Sequence, residues 1–498
     1  MNAGLEATAG GYLLALAVLM PVAGMLASLV LGGRSAERIA LAQTPIGLAI
    51  AVAIAALVWR SGAPIVYIGA LPPPLGIALQ ADGISSVMLV TAALIVAAAA
   101  FYGRADFGTP GAGVEKRASL TFWIMLQGVW AALALLFVGR DLFNLYVALE
   151  LLTFAAVPLV CLGGKPETLA AALRYLLFAL FGSIFYLLGA ALLYGSYGTL
   201  DFVLLAQRVH PLPAVWVAAG LMTAGLLAKT ALFPLHLWLP PAHANAPAAA
   251  SAVLSGLVVK GSFFLAVRLW FYVLPALPAG PVDAVLGALG AAAILFGSAL
   301  ALRQERLKLL IAYSTIAQIG YLFLIFPLAS GDHAWTLDGW NGGLMQILAH
   351  AFAKAAMFLA AGLLAESLGH DKIAKFAGAG RLAPMTFFTL GLGGLSLMGL
   401  PPSGGFAAKW LMLRAAIAAG QWAWAIVIVA GGLLAGGYVY RILQPALGPG
   451  PAVLKRPPDR SREAIALTLA IAAVLLGFAP QSFFDLIEIG RPAMSGVP

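Results

Sequence analysis

The sequence predicts an all-α polytopic membrane protein of about fourteen transmembrane helices, built from two inverted five-helix repeats with two broken helices. Three observations carry that expectation. Of 498 residues, 62% are apolar and 9% charged, where a soluble chain carries roughly 25% charged residues. Apolar runs long enough to cross a bilayer recur along the whole chain. Two of those runs are interrupted by proline and glycine.

A membrane-spanning helix needs about 20 apolar residues. Such runs lie at 12–31, 39–59, 84–102, 118–138, 142–162, 169–194, 213–239, 247–274, 283–302, 308–328, 340–366, 382–416, 421–443 and 463–480, numbered spans 1 to 14 below. Residues 1–11 hold Glu6 and no Lys or Arg, whereas a signal peptide needs a positive leading segment. Span 1 is therefore expected to be a retained helix. Between spans 2 and 3, Pro72, Pro73 and Pro74 precede an alternating GIALQAD, which reads as a short hairpin. Connections after odd-numbered spans carry eighteen Lys and Arg, among them Arg34, Arg38, Lys116, Lys372 and Lys455, against four (Arg60, Arg140, Arg208, Arg414) after even-numbered ones. By the positive-inside rule the odd connections are cytoplasmic and both termini extracytoplasmic. The Pro-rich stretch 444–462 is then a cytoplasmic loop, its basic cluster a topology anchor.

Span 7 reads AGLLAKTALFPLHLWLPPAH around Pro234, and span 12 reads SLMGLPPSGGFAAKWLML with Pro401 and Pro402. Proline removes a backbone bond and splits a helix, which is tolerated at membrane depth only where protein or a water-filled cavity satisfies the freed groups. A single such break would be a packing kink. Two breaks five helices apart point to repeats, and because five is odd the second is inverted. The expected organisation is 1–117 (helices 1–3 and the hairpin), 118–274 (first repeat), 283–443 (second repeat) and 444–498 (loop and last helix).

Several functions are excluded. The one cysteine, Cys161, lies in an apolar run, leaving no cysteine metal or iron-sulfur site. No GxxxxGK loop and no GxGxxG after a strand pattern occurs, so nothing cradles nucleotide phosphates. The net charge of +9 reflects topology and not nucleic-acid binding. Six histidines with no helix pair offering two each argue against haem. No metal, no cofactor and no bond-breaking chemistry are expected on this chain.

The chemistry lies in the buried charges. An intramembrane charge costs at least about 2.5–3.5 kcal/mol on insertion scales and marks function by default. Glu150 lies nine residues after Asp141, about 13 Å deep at 1.5 Å per residue. Lys229 precedes the break of span 7, Lys260 is central in span 8, Lys354 is mid-span in 11, and Lys409 follows the break of span 12. Gln346, His350 and Lys354 recur every four residues and share one helix face. For Lys409 snorkelling to headgroups is the competing reading. His350 alone could be a packed polar residue, and His236 and His243 could cap backbone groups or face water. Arg174, Arg268 and Lys308 near helix ends read as anchors. A desolvated lysine gives up its proton readily and a nearby carboxylate restores the charged form, which arginine cannot reproduce. Lysines joined by histidine and water can therefore pass protons.

These residues carry a family resemblance. GRDLFNLYVALELL, LLAKTALFPLHLWLPPAHANAPAAASAVLSGLVVK, LKLLIAYSTIAQIGYLFL, HAFAKAAMFLAAGLL and GLPPSGGFAAKW resemble the antiporter-like membrane subunits shared by respiratory complex I (NADH:quinone oxidoreductase), membrane-bound hydrogenases and Mrp cation/proton antiporters. The resemblance covers about residues 60–440. It implies that Glu150 and Lys229 form the carboxylate–lysine pair of a first half-channel and that Lys260 is the central connecting lysine. It implies that His350 and Lys354 lead into the second half-channel, and that Lys409 exchanges protons with the outside. The leading function it implies is a proton-translocating subunit of a redox-driven complex in the inner (cytoplasmic) membrane. Its partners would be other membrane subunits and iron-sulfur subunits, and it would carry protons, with Na+ as a second candidate. The alternatives are an Mrp-type Na+/H+ antiporter subunit and a membrane partner in inorganic-carbon uptake.

Overall fold

The computed structural model of the chain describes residues 7–109, 117–278 and 280–492. Glu6 and Lys116, which entered the reading of the first helix and of the charge bias, lie outside the described residues, as do both chain ends. Among the described residues thirteen helices are long and apolar enough to cross a membrane. Span 12 is absent from that set because it is split into Pro384–Met398 and Gly404–Ala418, each too short alone. The protein is a multi-pass, helical membrane protein.

The sheet is confined to the expected hairpin. Ile65–Ile68 pairs antiparallel with Ile77–Gln80, Ile65 opposite Gln80, and the three prolines occupy the connection, where no ladder donor is needed. Span 2 starts at Gly33, six residues before the apolar run, because Gly32 (φ 57°) and Gly33 (φ 54°) turn the chain without a loop. Only glycine takes such angles without strain. Span 6 extends over Pro166–Tyr197, proline opening it and Gly198 closing it.

Burial sorts the helices. The apolar windows of Ala248–Val273 (span 8) and Thr336–Leu368 (span 11) are wholly buried, whereas that of Tyr12–Leu31 is 28% buried. The helices carrying Lys260 and Lys354 thus face protein on every side and the first faces outward. Glycines permit the closest crossings. A Cβ on Gly225 of span 7 would lie 2.2 Å from the Gly182 carbonyl of span 6, and one on Gly320 of span 10 would lie 2.3 Å from that of Gly290 in span 9.

Both broken spans end their first half in the same way. At the first break the Leu232 amide bonds Leu227 O and the Ala231 amide bonds Ala228 O; at the second, Leu400 bonds Leu395 O and Gly399 bonds Ser396 O. This is the Schellman cap, with its left-handed residue supplied by Gly399 (φ 79°) in one case and by Ala231 (φ 59°) in the other. Helix Pro213–Thr230 therefore stops nine residues before the end of the apolar run, Pro234 lies in the non-helical stretch, and the chain resumes as Leu239–Asn245.

Two ion-pair clusters mark the ends of the bundle. Arg268 forks onto both Asp82 oxygens at 2.5 and 2.7 Å, and Arg140 bonds Asp201 at 2.7 Å. At the opposite end Arg306 pairs with Asp371, and Arg462 with Asp106 and Glu366. Even-numbered connections thus share one end and odd-numbered ones the other. The expectation that Arg268 is a headgroup anchor is corrected. Its side chain is 9% exposed, and Tyr272 and Phe264 lie on its guanidinium at 4.2 and 4.7 Å. Lys308 likewise turns inward, donating to Ala246 O at 2.9 Å. The Asp82 partner is 186 residues away, beyond any local sequence signal.

Candidate functional site

The site begins at the start of span 5. Asp141 accepts from the Phe143 and Asn144 amides and fixes the first turn of Leu142–Cys161, as an N-cap aspartate does. This places Glu150 deep on the helix. Its Oε1 lies 3.5 Å from Lys229 Nζ, the two side chains being 14% and 6% exposed. The shortest bond of Lys229 is to another group: Nζ donates to Thr153 Oγ1 at 2.9 Å, with Leu149 O at 3.4 Å. Lys229 is in the last turn of its half-helix, where the free carbonyls favour a cation. Trp238 pins the break by donating to Ala228 O at 2.9 Å and stacking on Tyr175 at 4.3 Å.

From the break the polar line continues inward. Thr230 Oγ1 meets Ser262 Oγ at 3.0 Å, and Lys260 is fully buried two residues away. Two π-helical segments, Leu254–Val258 and Arg268–Val273, flank the Lys260 turn. Such bulges occur often at functional sites because they displace the regular ladder. Lys260 Nζ donates to Ser255 O within this bulge, and Ser255 Oγ meets Thr315 Oγ1 of span 10 at 3.1 Å. On the neighbouring residue, Ser314 Oγ accepts from Lys354 Nζ, which also donates to Ile311 O at 2.9 Å.

The face predicted for span 11 does converge on span 10. Gln346 donates to Gln318 Oε1 at 2.9 Å. Gln318 Nε2 in turn lies 3.2 Å from Leu397 O and 3.3 Å from Tyr438 Oη. Leu397 O also accepts from Lys409 Nζ at 2.5 Å. His350 sits between Gln346 and Lys354, 1% exposed, its ring nitrogens without a hydrogen-bond partner among the described residues, within electrostatic reach of Lys260, Lys354 and Lys409.

The structure thus arranges these residues along one line made of three runs of short polar contacts, Glu150–Lys229–Thr153, Lys260–Ser255–Thr315–Ile311–Lys354 and Gln346–Gln318–Leu397–Lys409, with Thr230 and Ser262 between the first two and His350 between the last two. His236 is not on it, being packed against Phe233 and Phe296, both at 5.5 Å. Pro234, Pro401 and Pro402 lie in the two breaks, and the Pro234 backbone is hydrogen-bonded by His236. Thr153, Ser255, Ser314, Thr315 and Gln318 were missed. Thr153 falls one turn after Glu150, and Ser314 and Gln318 are four residues apart, a spacing that puts them on a polar helix face but does not separate a polar line from ordinary packing. Buried His243, stacked on Phe358 at 4.7 Å, lies at the edge of the line toward Lys308.

Residues 139–435, which contain every residue of this line, match the transmembrane family described as NADH:quinone oxidoreductase/Mrp antiporter. The chain belongs to this family. A relative of this antiporter family, NADH-quinone oxidoreductase subunit N of Desulforudis audaxviator, is 34% identical over 89% of the chain and 90% of its own length. A Na(+)/H(+) antiporter subunit of Alkalihalophilus pseudofirmus is 29% identical over 78% of the chain and 76% of its own. A chain of the Mrp complex from Dietzia sp. superposes with a TM-score of 0.87 at 23% identity, covering 98% and 99%. At that identity the likeness speaks for the fold.

Proposed function

We propose that this chain is the proton-translocating membrane subunit of a multisubunit, redox-driven complex of the NADH:quinone oxidoreductase type. The observation that carries the proposal is the row from the Glu150–Lys229 pair through Lys260 and Lys354 to Lys409, in which Lys260 and Lys354 are joined through Ser255, Thr315 and Ile311 and each lysine amine is held by a hydroxyl or a carbonyl. Proton passage needs donors that release and acceptors that re-form, and lysine does both where arginine does not. The Glu150 carboxylate holds the ammonium form of Lys229; motion of span 5 relative to the break in span 7 changes their 3.5 Å separation and switches Lys229 between holding and passing a proton. Lys260 and Lys354 hand on through Ser255, Thr315 and Ser314, and Lys409 exchanges with the exterior.

The two broken spans with matching caps support two inverted five-helix repeats. Odd connections face the cytoplasm and the chain sits in the cytoplasmic membrane with both ends outside. Redox cofactors belong to other subunits, this chain having neither a cysteine cluster nor a nucleotide loop. The extensive match to subunit N of a quinone oxidoreductase favours redox drive. The match to a subunit of a Na(+)/H(+) antiporter supports a second reading, exchange of Na+ for protons. Purifying the native complex separates them: iron and electron-transfer-dependent proton uptake support the first. An iron-free complex that acidifies vesicles only on a Na+ gradient would establish the second.

A further inference from the structure

Lys409 poses a problem that the other half of the site does not. Lys229 has Glu150, whereas among the described residues no carboxylate lies within ion-pair distance of Lys409, though its side chain is 6% exposed. Its stem runs across Gly399, where a Cβ would meet Cδ at 2.6 Å, and its amine reaches Leu397 O at 2.5 Å. That carbonyl is left to side chains, Lys409 and Gln318, because the Schellman cap sends the Gly399 amide to Ser396 O and the Leu400 amide to Leu395 O, so the ammonium sits at the negative end of a half-helix. The remaining side is covered by an aromatic face: Lys409 Nζ lies 4.3 Å from the centroid of the Tyr321 ring. Tyr321 is fully buried in a cluster with Ile294, Met412 and Ile428, which holds the ring under the amine, and its hydroxyl donates to Ile428 O of span 13 at 3.0 Å.

We propose that Tyr321 is a positioning residue for proton exchange at Lys409, its ring face taking the place of the absent carboxylate in holding the ammonium form. A ring quadrupole attracts a desolvated cation without carrying a charge of its own. It therefore stabilises the protonated amine less than a carboxylate at the same place and leaves it easier to discharge. The inference rests on the reading of Lys409 as a proton carrier. The titratable groups turned toward this amine are Tyr321 of span 10, Tyr438 of span 13 through Gln318, and His350 of span 11; the half-helix Pro384–Met398 offers none.

The test replaces Tyr321 in the assembled complex by phenylalanine and then by mono-, di- and trifluorophenylalanine, which keep the shape while draining the ring face of negative charge. Proton uptake into inverted membrane vesicles is measured against pH. Tyr321→Phe is expected to keep the wild-type pH profile, since the ring remains. Across the fluorinated series the alkaline limb is expected to move down stepwise, by about one pH unit in all, the equivalent of about a tenfold weaker hold on the proton. Lys409→Ala is measured alongside. A flat series with Lys409→Ala inactive overturns the role of the ring and leaves the proton pathway standing, as does a Tyr321→Phe variant that has already lost the profile. Wild-type uptake by Lys409→Ala overturns both.

Discussion

Glu150→Gln removes one charge and almost no volume, so its effect follows from electrostatics. At the observed 3.5 Å separation, two unit charges in an effective dielectric of about 20 attract by about 5 kcal/mol. Glutamine keeps an acceptor oxygen, and the Thr153 and Leu149 oxygens stay on Lys229 at 2.9 and 3.4 Å. We therefore expect about half of that attraction to be lost, which is roughly a fiftyfold weaker hold on the charged amine. The assay is proton uptake by inverted membrane vesicles, with assembly of the complex followed on native gels. We predict a complex assembled at wild-type levels whose uptake falls by an order of magnitude or more. Wild-type uptake from an assembled Glu150→Gln complex would refute the pairing as the switch.

Three further outcomes are expected. Thr153→Val removes a hydrogen bond to a charged group, worth about 1.5–3 kcal/mol, while leaving Glu150 in place; uptake should fall about tenfold in the same vesicles, and an unchanged rate would assign Thr153 to packing. Gln318→Leu breaks the link from Gln346 to Leu397 O, so uptake should fall while the thermal midpoint of the complex stays within a few degrees. Asp82→Asn leaves Arg268 buried without its carboxylate, a loss of about 3–5 kcal/mol read as a lower thermal midpoint with the residual uptake rate per complex preserved. Burial opposes ionisation of Asp82, but the Arg268 charge and its hydrogen bonds hold the carboxyl below its ordinary 3.8. A group depressed in the folded state stabilises fully above its unfolded value. The wild-type midpoint should therefore drop as pH falls below about 3.8, and less so in Asp82→Asn.

The spans, the hairpin and both breaks were legible because the bilayer writes them in composition: apolar runs of fixed length, and prolines where a helix cannot continue. Glu150, Lys229, Lys260, Lys354 and Lys409 were legible for the same reason, since a charge at depth stands out against 9% charged residues. What connects them did not stand out. Thr153, Ser314 and Thr315 occur as freely in packed membrane helices as in polar lines, and the Ser255, Ile311 and Leu397 acceptors are main-chain carbonyls that any residue would supply. The π segments beside Lys260 have no residue signature. Arg268 looked like an anchor because its partner belongs to a hairpin joined to it only by the fold.

Passage of protons through the middle of the bundle requires the Lys260 amine to gain and lose a proton during turnover, and Lys260→Arg probes that requirement without removing the charge. Arginine keeps the positive charge and a donor for Ser255 O but does not release its proton. In vesicles carrying the assembled complex, we expect Lys260→Arg to stop proton uptake while the complex stays intact on native gels. Uptake at the wild-type rate from that variant would contradict proton transfer through Lys260.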